Sequence, residues 1–203
     1  MKLQKIKLVV ASAIVMMVAG AHAANVTIGS FATGQFAVDN IGSSYTPTQS
    51  ASGLTSSLTV AVGDTWYGNF TAPMDWSSYG YTGTSGNYNN NTLGLFMSVT
   101  SQTAPLFFTV SVLDSAFNVV QAYSGNTTGL TSTPSFVAIE AVAGTAGTGN
   151  VLDVQSIVFG WDGAGAINTT LSSIQSTIPE PSSASLLALG MAGLVALRAR
   201  RKS

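Results

Sequence analysis

Two stretches of this chain alternate apolar and polar residues with a period of two. Leu93, Leu95, Met97 and Val99 share one side of the first, and Leu106, Phe108, Val110 and Val112 share one side of the second. That period belongs to extended chain, where successive side chains point to opposite faces, so each stretch buries one face of a sheet. Shorter runs of the same kind, rich in Val, Phe, Leu and Thr, recur between clusters of Gly, Asn, Ser and Pro. They predict strands at 26–31, 35–38, 58–62, 66–70, 93–100, 106–113, 118–123, 135–142 and 152–161. Val62-Gly63-Asp64 and Asp114-Ser115-Ala116 supply the residues of tight turns, and Ser124-Gly125-Asn126 ends a strand. No helical periodicity of useful length appears between residues 24 and 165. Abundant Ser, Thr, Gly and Asn would by themselves suit a disordered chain, and the alternation decides for a folded one. The expected fold is all-β, an antiparallel β-sandwich or jelly roll over 24–163. Large residues then thin out to Ile167, Leu171 and Ile174, which predicts a linker over 164–178.

The two ends read differently. Residues 1–23 have the form of a cleavable signal peptide: Lys2, Lys5 and Lys7, an apolar core from Leu8 to Val18, and a small-x-small site at Ala21-His22-Ala23. Cleavage after Ala23 is expected. At the other end, 179–203, Pro179-Glu180-Pro181-Ser182 precedes an apolar run and a basic cluster of Arg198, Arg200, Arg201 and Lys202. The sixteen uncharged residues Ser182 to Leu197 would rise ~24 Å as a helix, somewhat less than a hydrocarbon core of roughly 30 Å. The cations place the C-terminus on the cytoplasmic side. Composition alone reads equally well as a plain C-terminal anchor, a single transmembrane helix.

The order of Pro179-Glu180-Pro181, Leu186-Leu187, Gly190 and the arginine cluster resembles the PEP-CTERM sorting signal of Gram-negative bacteria. The resemblance is confined to about 25 residues. It implies an exosortase-type membrane enzyme as partner, export to the inner membrane, processing near the Pro-Glu-Pro, and release to the cell surface or the extracellular matrix of a biofilm. It implies nothing about the fold upstream.

Charge is concentrated at the two ends. All seven Lys and Arg residues lie in the leader and the tail, and the one His is His22. Residues 24–178 therefore hold no Lys, Arg, His or Cys, and seven carboxylates: Asp39, Asp64, Asp75, Asp114, Glu140, Asp153 and Asp162. A formal charge of −7 leaves no footprint for nucleic acid or anionic lipid. Without Cys there is no disulfide framework and no thiolate chemistry; without His the commonest general base and transition-metal ligand are missing.

Two functional features stand out. Residues 74–91 carry Trp76, Tyr79, Tyr81 and Tyr88 among Ser, Gly and Asn. Exposed rings beside amides stack on sugars and bond their hydroxyls, whereas rings folded back would serve the core. Carboxylates at Asp64, Asp75, Asp153 and Asp162 raise two alternatives, a glycoside hydrolase working with carboxylates alone and an oxygen-ligated calcium site. No contiguous Asp-x-Asp-x-Asp loop supports the latter. The expectation is an exported surface or matrix protein without catalysis, metal or cofactor, structural or associating weakly with polysaccharide.

Overall fold

The computed structural model describes residues 24–39, 43–79, 81 and 92–178. The leader with Ala21 and Ala23, Tyr88, and the tail with Pro179, Glu180, Pro181, Arg198, Arg200, Arg201 and Lys202 lie outside the described residues. The strands are β1 (Ala24–Ser30), β2 (Phe36–Asp39), β3 (Thr48–Ser50), β4 (Gly53–Val60), β5 (Thr65–Met74) and β6 (Thr92–Gln102). They continue with β7 (Phe107–Asp114), β8 (Val119–Asn126), β9 (Ser135–Ala138), β10 (Glu140–Ala141), β11 (Val154–Trp161) and β12 (Gly165–Ile178). Single 3-10 turns occupy Ser77–Tyr79 and Val151–Asp153.

These strands form two six-stranded sheets. The first has the order β3-β4-β12-β6-β9, with β1 also paired to β12; the second has the order β10-β8-β7-β11-β5-β2. The ladders among β2 to β12 are antiparallel. The alternation read from the sequence is what the strands bury. Leu93, Leu95, Met97 and Val99 on β6, and Phe108, Val110 and Val112 on β7, all lie in one apolar core. Aromatic rings fill much of it. Trp66 stacks on Phe159 at 5.4 Å, Phe159 stacks on Phe108 at 5.1 Å, and Trp161 meets Phe159 edge-on at 5.0 Å. Each such pair is worth ~0.5–1.5 kcal/mol beyond the area it buries. The fold is thus an all-β, two-sheet antiparallel sandwich.

Three sequence expectations are corrected. The linker expected over 164–178 is β12, a 14-residue strand paired to β4 on one side and β6 on the other. Its inward positions include Thr169 and Ser176, which are buried with Ile167, Leu171 and Ile174. Thr169 Oγ1 donates to the Ser98 carbonyl at 2.8 Å. Hydroxyls satisfied within the sheet therefore hold core positions that read as linker composition. Consequently the folded unit extends over Asn25–Ile178. The strand expected over 135–142 is two strands, because the chain leaves the first sheet after β9 and joins the second as β10. Ile139, 4% exposed, is the buried crossing point, and its N–H donates to Leu93 O at 2.9 Å. Finally, β4 begins at Gly53, five residues ahead of the expected strand at 58.

β1 lies against the C-terminal half of β12. The Phe31 N–H donates to Ser172 O at 3.1 Å, and Thr177 Oγ1 donates to Asn25 Oδ1 at 3.1 Å. Both ends of the domain therefore meet on one pair of strands. Among the described residues, no helix is long and apolar enough to cross a membrane.

Candidate functional site

Of the aromatics in 74–91, Trp76, Tyr79 and Tyr81 fold back onto the core, the second of the two arrangements the sequence left open. After β5, Asp75 Oδ1 accepts from the Ser77 N–H at 2.8 Å and the Ser77 hydroxyl at 2.5 Å, closing a tight turn. Those hydrogen bonds, the Ser77 hydroxyl foremost, hold the Asp75 carboxyl below its ordinary pKa. The turn sends Trp76 and Tyr81 into the core, each 1% exposed, with ring centroids 5.9 Å apart. The Tyr81 hydroxyl donates to Ser176 Oγ of β12 at 2.8 Å, and Tyr79 packs partly buried against the same core. Covered ring faces cannot stack on a sugar, so Trp76 and Tyr81 are structural residues in this fold.

Exposed aromatics lie elsewhere, on the outer face of the second sheet. Trp66, Phe159 and Val110 point into the core. Their neighbours Tyr67, Val158 and Ser111, paired across β5, β11 and β7, therefore share the opposite face. The next row along is Asn69, Ser156 and Leu113. Tyr67 is half-buried. Its hydroxyl donates to Asn69 Oδ1 at 2.6 Å and lies 3.3 Å from Ser156 Oγ, which also donates to Asn69 Oδ1 at 2.6 Å. Two hydroxyls thus occupy the amide oxygen of Asn69. Its Nδ2 has no partner among the described residues and keeps its two N–H donors.

Above this cluster sits Phe117, from the turn joining β7 to β8. Its ring is 61% exposed, and its centroid lies 6.1 Å from that of Tyr67 at an interplanar angle of 57°. Because β11 runs between β7 and β5, Phe117 reaches back over a strand to meet Tyr67. Its backbone has φ 63°, the single positive φ outside glycine among the described residues. A bulky side chain costs energy there, so the turn has to impose that conformation.

Asp114 imposes it. One carboxylate oxygen accepts from the N–H groups of Ala116 at 3.0 Å and Asn118 at 2.8 Å. The other accepts from Asn118 Nδ2 at 3.2 Å and the Asn150 N–H at 3.0 Å. Burial works to raise the pKa of this carboxyl. The donors of Asn150, Asn118 and Ala116 outweigh burial and hold it below the usual range. The Ser115 hydroxyl donates to Asp153, fastening the turn to the 3-10 segment.

The remaining carboxylates do not gather. Asp64 Oδ2 accepts from the Ala61 N–H at 2.7 Å within the β4–β5 turn, and Asp153 accepts from Ser115. Asp162 follows β11, where its N–H donates to Phe107 O at 3.0 Å. Among the described residues no group of three His, Cys, Asp or Glu side chains is placed to hold a metal ion. What the outer face offers is two tilted rings, an unengaged amide nitrogen and several hydroxyls, with no cation anywhere in 24–178. Such a surface covers the C–H face of a neutral sugar ring and bonds its hydroxyls. Sequence reasoning missed Tyr67 and Phe117. One signal was present: Trp66 and Tyr67 are neighbours on a strand, so one of the two rings has to face outward.

No curated protein sequence matches this chain. Among solved structures, the agarase AgWH50C is similar at 10% identity and a TM-score of 0.43, covering 75% of this chain and 24% of its own. The chain thus spans about a quarter of the length of that agarase. The family 30 carbohydrate-binding module of a cellulosomal cellulase of Clostridium thermocellum is similar at 13% identity and a TM-score of 0.41, covering 78% of this chain and 99% of the module. TM-scores below 0.5 mark both likenesses as distant. The tail is recognised at the level of sequence: residues 177–202 match the family model of the PEP-CTERM protein-sorting motif, and that motif is what this chain carries at its C-terminus.

Proposed function

We propose that the protein is an exported, non-catalytic surface or matrix component that associates with uncharged polysaccharide through Tyr67 and Phe117. The observation that carries the reading is Phe117, an exposed ring held at φ 63° against Tyr67. Strain of this kind persists where the surrounding structure enforces it, and here it presents an apolar ring to solvent beside free hydrogen-bond donors. The sorting motif at 177–202 supports delivery. The leader is removed after Ala23, the tail holds the chain in the inner membrane, and an exosortase-type enzyme processes it near Pro179-Glu180-Pro181.

The test is retention of the recombinant 24–178 domain on insoluble neutral polysaccharides. Tyr67→Ala and Phe117→Ala are each expected to weaken retention roughly tenfold, about 1.4 kcal/mol. Trp76→Ala is expected to melt far below the parent. Equal retention of both outer-face variants would overturn the reading. Sugar release that is abolished by Asp→Asn changes would turn the protein into a hydrolase.

A further inference from the structure

We infer that the outer face of the second sheet is a track for one extended, uncharged polysaccharide chain, running from the Tyr67–Phe117 pair to Phe107. This rests on the carbohydrate reading above and extends it from a single contact to a ligand class.

Phe107 opens β7 with its ring 62% exposed. Phe108, Val110 and Val112 face the core, so Phe107, Thr109 and Ser111 face outward. Ser111 lies in the same cross-strand row as Tyr67, with Val158 of β11 between them. From that row Phe107 is four residues along β7 and two strands across. At ~3.3 Å per residue and ~4.8 Å per strand, the two aromatic positions are ~16 Å apart. That span suits a chain of several sugar rings and is too long for one.

Between the aromatic ends Val158 lies in the Tyr67 row, and the rest of the floor is small and polar. Ser111 and Thr109 have hydroxyls without a protein partner among the described residues, and Gly160 adds no side chain. A Cβ on Gly160 would stand 3.1 Å from Thr109 Oγ1 and 3.3 Å from Thr65 Cγ2, so the two threonines already close over it. Rings at both ends with small hydroxylated residues between them suit a ribbon-like polymer lying flat across the strands.

Charge narrows the occupant. The Tyr67 row ends at Asp39 on β2, and the row of Thr109 and Ser124 ends at Glu140 on β10. With carboxylates at both margins and no cation in the domain, a polyanion is repelled and an anionic lipid surface finds no partner. A neutral polysaccharide meets no such penalty.

The experiment is calorimetric titration of the 24–178 domain with unbranched β-1,4-linked glucose, mannose and xylose oligosaccharides, disaccharide to hexasaccharide, with polygalacturonate as the anionic control. Affinity for one neutral series is expected to rise with length and then level off, and polygalacturonate is expected not to bind. Phe107→Ala should weaken the hexasaccharide about tenfold and leave the disaccharide unchanged; Phe107→Tyr should retain both affinities. Phe117→Ala should weaken every length. Length-independent affinity, or a hexasaccharide affinity unchanged by Phe107→Ala, would overturn the track and leave the Tyr67–Phe117 contact standing. Failure of every oligosaccharide to bind would remove the carbohydrate reading and the track together. Sedimentation in which Phe107→Ala abolishes self-association and changes no sugar affinity would assign the face to a second copy of the chain.

Discussion

Phe117 sets two demands against each other. Its φ of 63° suits glycine or asparagine, and a phenylalanine there destabilises the turn. Phe117→Gly is expected to keep the fold and to raise stability by up to about 1 kcal/mol, read as a higher melting temperature. The same change should weaken retention on polysaccharide roughly tenfold, as Phe117→Ala does, because it removes the ring. A variant that melts lower would show that the ring serves packing. Asp114, which builds that turn, couples it to pH. Its folded pKa is depressed, so the stability it contributes is present above the unfolded carboxylate value near 3.9 and is lost as pH falls through the folded value. Melting temperature should therefore fall from neutral pH to about 3, and Asp114→Asn should flatten part of that fall.

At the level of elements, β12 carries the sharpest test. It lies between β4 and β6 and carries Ile167, Leu171 and Ile174 into the core. A fragment that stops at residue 163 is expected to give a disordered far-UV spectrum, whereas one that stops at 178 folds. A cooperative melt of the shorter fragment would contradict the central position of β12. The sequence made β6 and β7 legible because Leu93 to Val99 and Phe108 to Val112 set an apolar side chain at every second position. It hid β12, whose inward Thr169 and Ser176 are satisfied by contacts visible only in three dimensions, Ser98 O and the Tyr81 hydroxyl. The candidate site was hidden for a related reason. Trp76 and Tyr81 stand among polar residues that suit an exposed or an inward ring equally, and the Asp75 turn directs them inward. Tyr67 and Phe117 become neighbours through strand order, with β11 running between their elements, and no local pattern reports that.

Across the whole molecule, charge is distributed so that the domain is purely acidic and the cations sit in the leader and tail. Carbohydrate association is then expected to be nearly indifferent to salt, changing less than about twofold from dilute buffer to 0.5 M, since no ion pair to a ligand exists to be screened. A steep loss with salt, measured on the same polysaccharide columns, would contradict a neutral ligand. The domain is also expected to survive trypsin even when unfolded, since 24–178 offers no Lys or Arg to cut. The place where the tail leaves the fold has a mechanical meaning as well. β12 ends the folded unit at Ile178, so a pull applied there along the chain enters a strand bonded on both sides. Such a load shears the ladders to β4 and β6, and many hydrogen bonds resist it together, where a peeled edge strand would yield them one after another. A load applied at Ile178 would thus grip the domain through the middle of its first sheet.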